Sequence, residues 1–156
     1  MPTATGTRRR TIGCVDPFNL ERFVVAQQGV YGGVVHELRM ARKTTHWMWF
    51  VFPQLAGLGR SWVAEQYAIG SLDEARAYLA QPVLGTRLRE CASFLLLAPV
   101  DATPHSIFGA TDALKLRSSM TLFLRAAPDE ALWQHVLDRF YGGTPDARTD
   151  ELLGLG

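Results

Sequence analysis

The chain has 156 residues, 47% of them apolar and 20% charged, with a formal net charge of +1. That length suits one domain with its own core, and the composition excludes collagen, a disulfide scaffold and wholesale disorder. The near-neutral balance also removes the simplest nucleic-acid reading, because no basic excess is available to neutralise phosphates.

The first fifteen residues are rich in Thr and Arg, with Arg8, Arg9 and Arg10 in a row. A secretory or twin-arginine signal would need an apolar stretch of about 7–15 residues next. Here Thr11, Ile12, Gly13 and Cys14 lead almost directly to Asp16. Residues 1–15 therefore read as a disordered basic tail on a cytoplasmic protein. No apolar run approaches the roughly 20 residues of a membrane span.

Asp16-Pro17 reads as a helix start: the carboxylate caps free N–H groups, and proline suits the first turn, where its missing N–H is not needed. Leu20, Phe23, Val24 and Gln27 follow at helical spacing. Gly29 and the Gly32-Gly33 pair interrupt this helix. A second helix then carries Val34, Leu38 and Ala41 inward, with Arg39, Arg42 and Lys43 near its C-terminal end, where the helix dipole favours cations. His46 to Gln54 is uncharged and aromatic, and Pro53 closes it. Its aromatic and β-branched content predicts an extended segment over 46–52, although a lone strand leaves its backbone groups without partners. Gly57 and Gly59 loosen the chain before a short helix around Trp62 to Tyr67.

Ser71-Leu72-Asp73-Glu74 forms a capping box, with Ser71 capping and Glu74 reaching back. It opens a helix with Leu72, Ala75 and Leu79 on one face, and Gln81-Pro82 breaks it. Leu84, Leu88, Cys91, Leu95 and Ala98 keep helical spacing, and residues 94–97 are apolar all round, which predicts a central, largely buried helix. Thr103-Pro104 opens a short turn that stops at Gly109. Asp112 is then placed to cap a helix whose inward face is Leu116, Met120, Phe123, Leu124 and Ala127. Pro128 starts another, with Trp133, Val136, Leu137 and Phe140 inward, and Gly142-Gly143 closes it. Thr144-Pro145 opens a last short helix through Leu153. The expectation is a mainly α fold of roughly seven or eight short helices. It forms a single helical domain over 16–153, with no internal repeat and no linker long enough to divide it.

The two cysteines, Cys14 and Cys91, and the four histidines, His36, His46, His105 and His135, form no metal-ligand spacing, and nothing in their placement suggests a disulfide. Gly57-Leu58-Gly59 is half a dinucleotide fingerprint, but its third glycine would fall at Trp62 and no βαβ unit surrounds it. There is neither a phosphate loop nor a nucleophile elbow. No metal or other cofactor is expected.

Three segments combine aromatic bulk with polar groups that a core does not need. In residues 43–50 the faces of Trp47 and Trp49 suit planar rings and cations, and His46 can move a proton near neutral pH. The plain alternative is a pair of core tryptophans beside a surface histidine. In residues 112–119 Asp112, Lys115 and Ser119 share one helical face, and Leu114, Arg117, Ser118 and Thr121 another. Cations and hydroxyls at a helix start suit a phosphate or carboxylate; the alternative is a solvated cationic face. The third is residues 105–109, just upstream, for which a plain loop is the simpler reading, and capping suffices to explain the turn at 142–148.

If these segments meet in space, His46, Lys43 and Asp112 are the candidate catalytic residues. Trp47, Trp49, Gln54, Lys115, Arg117 and Ser118 are the candidate ligand-binding residues. The expected partner is then a small anionic or nucleotide-like ligand, not a membrane, with nucleic acid disfavoured. The rival is a non-catalytic helical interaction module that exposes its aromatic segment as an anchor. Exposure discriminates them: a ligand site gathers its groups in a concave pocket.

Four ordered blocks carry a family resemblance: residues 16–23 (DPFNLERF), 46–54 (HWMWFVFPQ), 115–123 (KLRSSMTLF) and 138–143 (DRFYGG). They resemble the bacterial domain-of-unknown-function family 1810, from about Asp16 to Leu153. The resemblance implies a mainly helical single domain and no established activity. The order of aromatic segment, short helices, cationic Ser-Ser-Met helix and Arg-Phe ending is more loosely similar to the NADAR family. That likeness implies ADP-ribose-like substrates and N-glycosidic chemistry, with Glu37 and Glu65 as acid candidates by location.

Overall fold

Residues 15–155 are described by this computed structural model, and helices make up most of them. The basic tail expected over 1–15 lies outside them apart from Val15, as does Cys14; Cys91 carries a free thiol. The helices are α1 (Glu21–Gln27), α2 (Tyr31–Arg39), α3 (Met48–Val51), α4 (Trp62–Gln66), α5 (Leu72–Ala80), α6 (Pro82–Leu96), α7 (Pro104–Ala126), α8 (Leu132–Tyr141) and α9 (Ala147–Leu152). Strand-like pairing among the described residues is confined to an isolated parallel bridge between Leu55 and Ile69. No helix among them is long and apolar enough to cross a membrane.

The mainly α architecture is as the periodicity predicts, and the count rises to nine among the described residues largely through α3. There the expectation of an extended segment fails. Val51 N bonds to Trp47 O at 3.2 Å and Phe52 N to Met48 O at 3.1 Å. With no neighbouring strand to pair with, these residues close a helical turn and satisfy their own backbone groups, and tertiary context overrides β-propensity. Packing supports that turn: Phe50 O accepts from Gln27 Nε2 at 2.8 Å, which ties α3 to α1.

Several caps follow the sequence, with local shifts. The Asp16 carboxylate accepts from Leu20 N at 2.8 Å and Glu21 N at 2.9 Å. Asn19 lies between them with φ 54°, so α1 starts after Pro17 rather than on it. Gly29, with φ 76°, makes the break after α1 alone; Gly32 and Gly33 fall within α2, because nothing there requires a left-handed residue. Ser71 Oγ accepts from Glu74 N at 3.1 Å. The Glu74 carboxylate reaches one residue further back than a capping box requires, to Gly70 N at 2.9 Å, and pairs with Arg22 at 3.0 Å.

The core runs along a line of rings from four helices. Phe23 on α1 meets Tyr78 on α5 at 5.1 Å between ring centres; Tyr78 meets Phe123 on α7 at 5.5 Å; Phe123 meets Trp133 on α8 at 5.7 Å. α6 is central, as its apolar run suggests, packing against α5, α8, α2 and α1, but α7 is the more deeply buried: its residues 118–124 are buried on every side. α6 turns Leu84, Leu88, Cys91 and Leu95 inward, while Leu97 just beyond it is exposed. Apolar residues all round identify burial only when neighbours cover every face, and past Leu96 nothing does.

Candidate functional site

Three segments distant in sequence meet beside the start of α7. Gly109 breaks that helix with φ 82° and ψ 171°, a conformation open essentially only to glycine. The break separates a first turn, capped by Thr103 Oγ1 accepting from Ser106 N at 2.9 Å, from the long segment that enters the core. Phe108, just before the break, packs edge-on to Trp47 at 6.4 Å and Phe52 at 6.3 Å. Lys43 N donates to Ile107 O at 2.8 Å.

This approach delivers Lys43 to Asp112. The Lys43 ammonium lies 2.8 Å from Asp112 Oδ2 and 5.1 Å over the Trp47 ring. The Lys115 ammonium lies 3.4 Å from Asp112 Oδ1 and 5.1 Å over the Trp49 ring. Two cations share one carboxylate, so the cluster keeps an excess positive charge. Asp112 does not cap a new helix as expected. It lies within α7 just past the break, where its charge suits the first turn, and its oxygens serve the two lysines.

Glu37, on α2, organises the loop that carries Lys43. Its buried carboxylate accepts from Thr44 N at 2.8 Å, Thr45 N at 3.1 Å, Thr45 Oγ1 at 2.5 Å and Trp47 Nε1 at 2.9 Å. Burial alone would raise its pKa. The four donors outweigh burial and hold it down at about 2. An acid ionised to that pH does not act as a proton donor near neutrality, so Glu37 is a structural anion here. Glu65 is exposed on α4.

Beside the lysine cluster opens a cleft of about 230 Å³, lined by Gln54, Leu58, Gly59, Thr111, Leu114, Lys115, Ser118, Asp146 and Arg148. Thr111, Leu114, Lys115 and Ser118 come from one stripe of α7, at the i, i+3, i+4, i+7 spacing that puts residues on one face. Gln54 and Gly59 come from the loop after α3, and Asp146 and Arg148 from the start of α9. Ser118 Oγ lies 3.2 Å from both Leu114 O and Asp146 Oδ2. Arg125 clamps α9 to α7 through two bonds of 2.9 Å to Asp150.

The candidate residues therefore divide. Lys43, Asp112, Lys115 and Trp49 meet in the cluster; Gln54, Lys115 and Ser118 meet in the cleft; Lys115 belongs to both. Trp47 is 2% exposed, so it packs as core and offers no open face to a ring. His46 is exposed and makes no hydrogen bond to the other described residues. Arg117 turns away from the cleft, donating to Thr144 O at 2.9 Å and lying 5.6 Å over the Tyr141 ring. Ser119 points inward with its hydroxyl unpartnered among the described residues. Asp146, Arg148 and Thr111 escaped sequence reasoning. The cap of α9 is Asp146, accepting from Thr149 N at 3.0 Å, and not Thr144-Pro145 as the sequence suggests; a capping turn explains the segment well enough to conceal the place of Asp146 in the cleft.

The family model described as protein of unknown function (DUF1810) matches residues 17–153. The chain is similar to the conserved hypothetical protein Rv1873 from Mycobacterium tuberculosis, known from its crystal structure. The two are 51% identical, the match covers 90% of this chain and 100% of that one, and the TM-score is 0.87. No curated protein matches.

Proposed function

The chain belongs to the DUF1810 family, and we propose that its cleft binds a small phosphorylated molecule of nucleotide type, ADP-ribose-like compounds included. The observation that carries this reading is the position of Lys115. Its ammonium belongs to a cluster with more cation than carboxylate, and its side chain also lines a cleft with Arg148, two hydroxyl residues and Gln54. An anion entering the cleft would gain charge-assisted hydrogen bonds there. Trp49 lies beneath the Lys115 ammonium, ready to present its ring once the lysine turns to the anion.

The volume sets a bound on what enters. About 230 Å³ is below the roughly 300–1,000 Å³ that encloses a drug-sized ligand. The cleft suits the phosphate-bearing part, with the remainder outside. Processing of that ligand by N-glycosidic chemistry requires a carboxylate at the reacting centre. Asp146 is the acid lining the cleft, whereas Glu37 is committed to its loop. The reading keeps the cytoplasmic, bacterial setting expected from the sequence. The rival interaction module needs the aromatic segment on an open surface, and Trp47, Met48, Val51 and Phe52 are all buried.

The test is a thermal-shift screen against nucleotides, NAD, ADP-ribose and sugar phosphates. A ligand at about a hundred times its Kd stabilises the fold by roughly 2.7 kcal/mol, on the order of 5–11 °C for a chain of this size. Lys115→Ala is expected to abolish the response while leaving the protein folded. A blank panel, or a response unchanged in Lys115→Ala, overturns the proposal.

A further inference from the structure

Asp146 is held in the cleft in an uneven way. Its Oδ2 takes three bonds, from Ser118 Oγ at 3.2 Å, Thr149 N at 3.0 Å and Thr149 Oγ1 at 2.5 Å. Its backbone N donates to Thr121 Oγ1 at 2.8 Å. Its Oδ1 accepts nothing from the other described residues. Gln54 is similar: its backbone O accepts from Ile69 N at 2.9 Å, while its side-chain amide has no partner among the described residues. Gly59 is packed so closely that an added Cβ would stand 2.5 Å from Ala64 Cβ and 3.2 Å from Gln54 Nε2.

A fixed carboxylate serves a bare anion badly, because like charges repel. It serves a neutral hydroxyl well, since an ionised carboxyl only accepts hydrogen bonds. The cleft thus offers the cation of Lys115 and that of Arg148, which is shared with Glu151 at 3.1 Å, beside an anchored acceptor at Asp146, with the Gln54 amide free to donate or accept. We infer that the ligand is a sugar phosphate, its phosphate taken by Lys115 and its hydroxyls read by Asp146 Oδ1 and Gln54. This assignment rests on the phosphate-binding reading above and names the part of a nucleotide that enters.

Calorimetric titration of the full chain with inorganic phosphate and with ribose 5-phosphate tests it. The wild-type protein is expected to bind ribose 5-phosphate about tenfold more tightly than phosphate, the worth of one or two net hydrogen bonds. In Asp146→Asn that preference disappears while phosphate binds as well or better, because a negative charge has gone. Asparagine remains a good helix cap, so folding is expected to survive. If it does not, Gln54→Ala, which removes no cap, carries the test through the same loss of sugar preference. Equal wild-type affinity for the two probes overturns the sugar assignment and leaves the phosphate site standing. So does a folded Asp146→Asn that weakens both probes alike. Binding of neither probe overturns both readings.

Discussion

The Lys43 ammonium lies 2.8 Å from Asp112 Oδ2, with only 7% of the lysine side chain exposed. Lys43 belongs to the connection between α2 and α3, and Asp112 to α7, so the pair ties the loop to that helix. The Asp112 side chain keeps 19% of its surface exposed, so the pair is largely shielded from solvent, and breaking it is expected to cost toward the lower end of the about 3–5 kcal/mol of a fully buried pair, because one charge is left alone. Asp112→Ala strands Lys43. Lys43→Met leaves Asp112 with Lys115, 3.4 Å away. Urea denaturation is therefore expected to find Asp112→Ala the more damaging change by more than about 1 kcal/mol, within the 3–5 kcal/mol range. Losses below about 1 kcal/mol in both variants would class the pair with exposed salt bridges and defeat the argument.

Glu37 makes stability depend on acid. Its folded-state pKa is lowered from 4.5 to about 2, burial being outweighed by the bonds from Thr45, Thr44 and Trp47. A depressed carboxylate contributes stability that is fully present above its unfolded pKa and is lost as pH falls through the folded value. The window is thus from about pH 5 down to about pH 2, and the contribution is on the order of 3 kcal/mol. Glu37→Gln is expected to be less stable at pH 7 and to lose less on acidification than the wild type. Parallel pH–stability curves for the two proteins would contradict this.

The glycine at 109 is required by its backbone and not by crowding. Its φ is 82°, and an added Cβ would meet nothing within 4 Å. Gly109→Ala is therefore expected to destabilise by about 1–3 kcal/mol through strain alone. It should also loosen the Lys43–Asp112 contact if the helix straightens. Thermal denaturation followed by circular dichroism measures the first effect. A variant as stable as the wild type would show that the break tolerates a side chain.

Sequence reading worked where the causes are local. Ser71 and Thr103 cap the helices their positions suggest, because a cap needs only a side chain and the next three residues. Trp133, Val136 and Leu137 are buried at the spacing that foretold them. It failed at residues 46–52, where composition favours a strand but the fold supplies no partner. Ser119 was grouped with Asp112 and Lys115, yet α7 is covered on all sides at that level and the hydroxyl is turned inward. Helical spacing assigns residues to a common face; it does not say which faces the neighbours cover.

The amino-acid sequence by itself determined most of the helices, the caps at Asp16, Ser71 and Thr103, the apolar faces and the segments rich in chemistry, since periodicity and capping act over a few residues. Only the tertiary structure decided which of those segments form a site. Lys43 finds Asp112 because the break at Gly109 and the packing of Phe108 on Trp47 bring two distant stretches together. Asp146 enters the cleft because Arg125 clamps α9 against α7. Such meetings depend on the summed packing of the whole core, so no single stretch of sequence contains them.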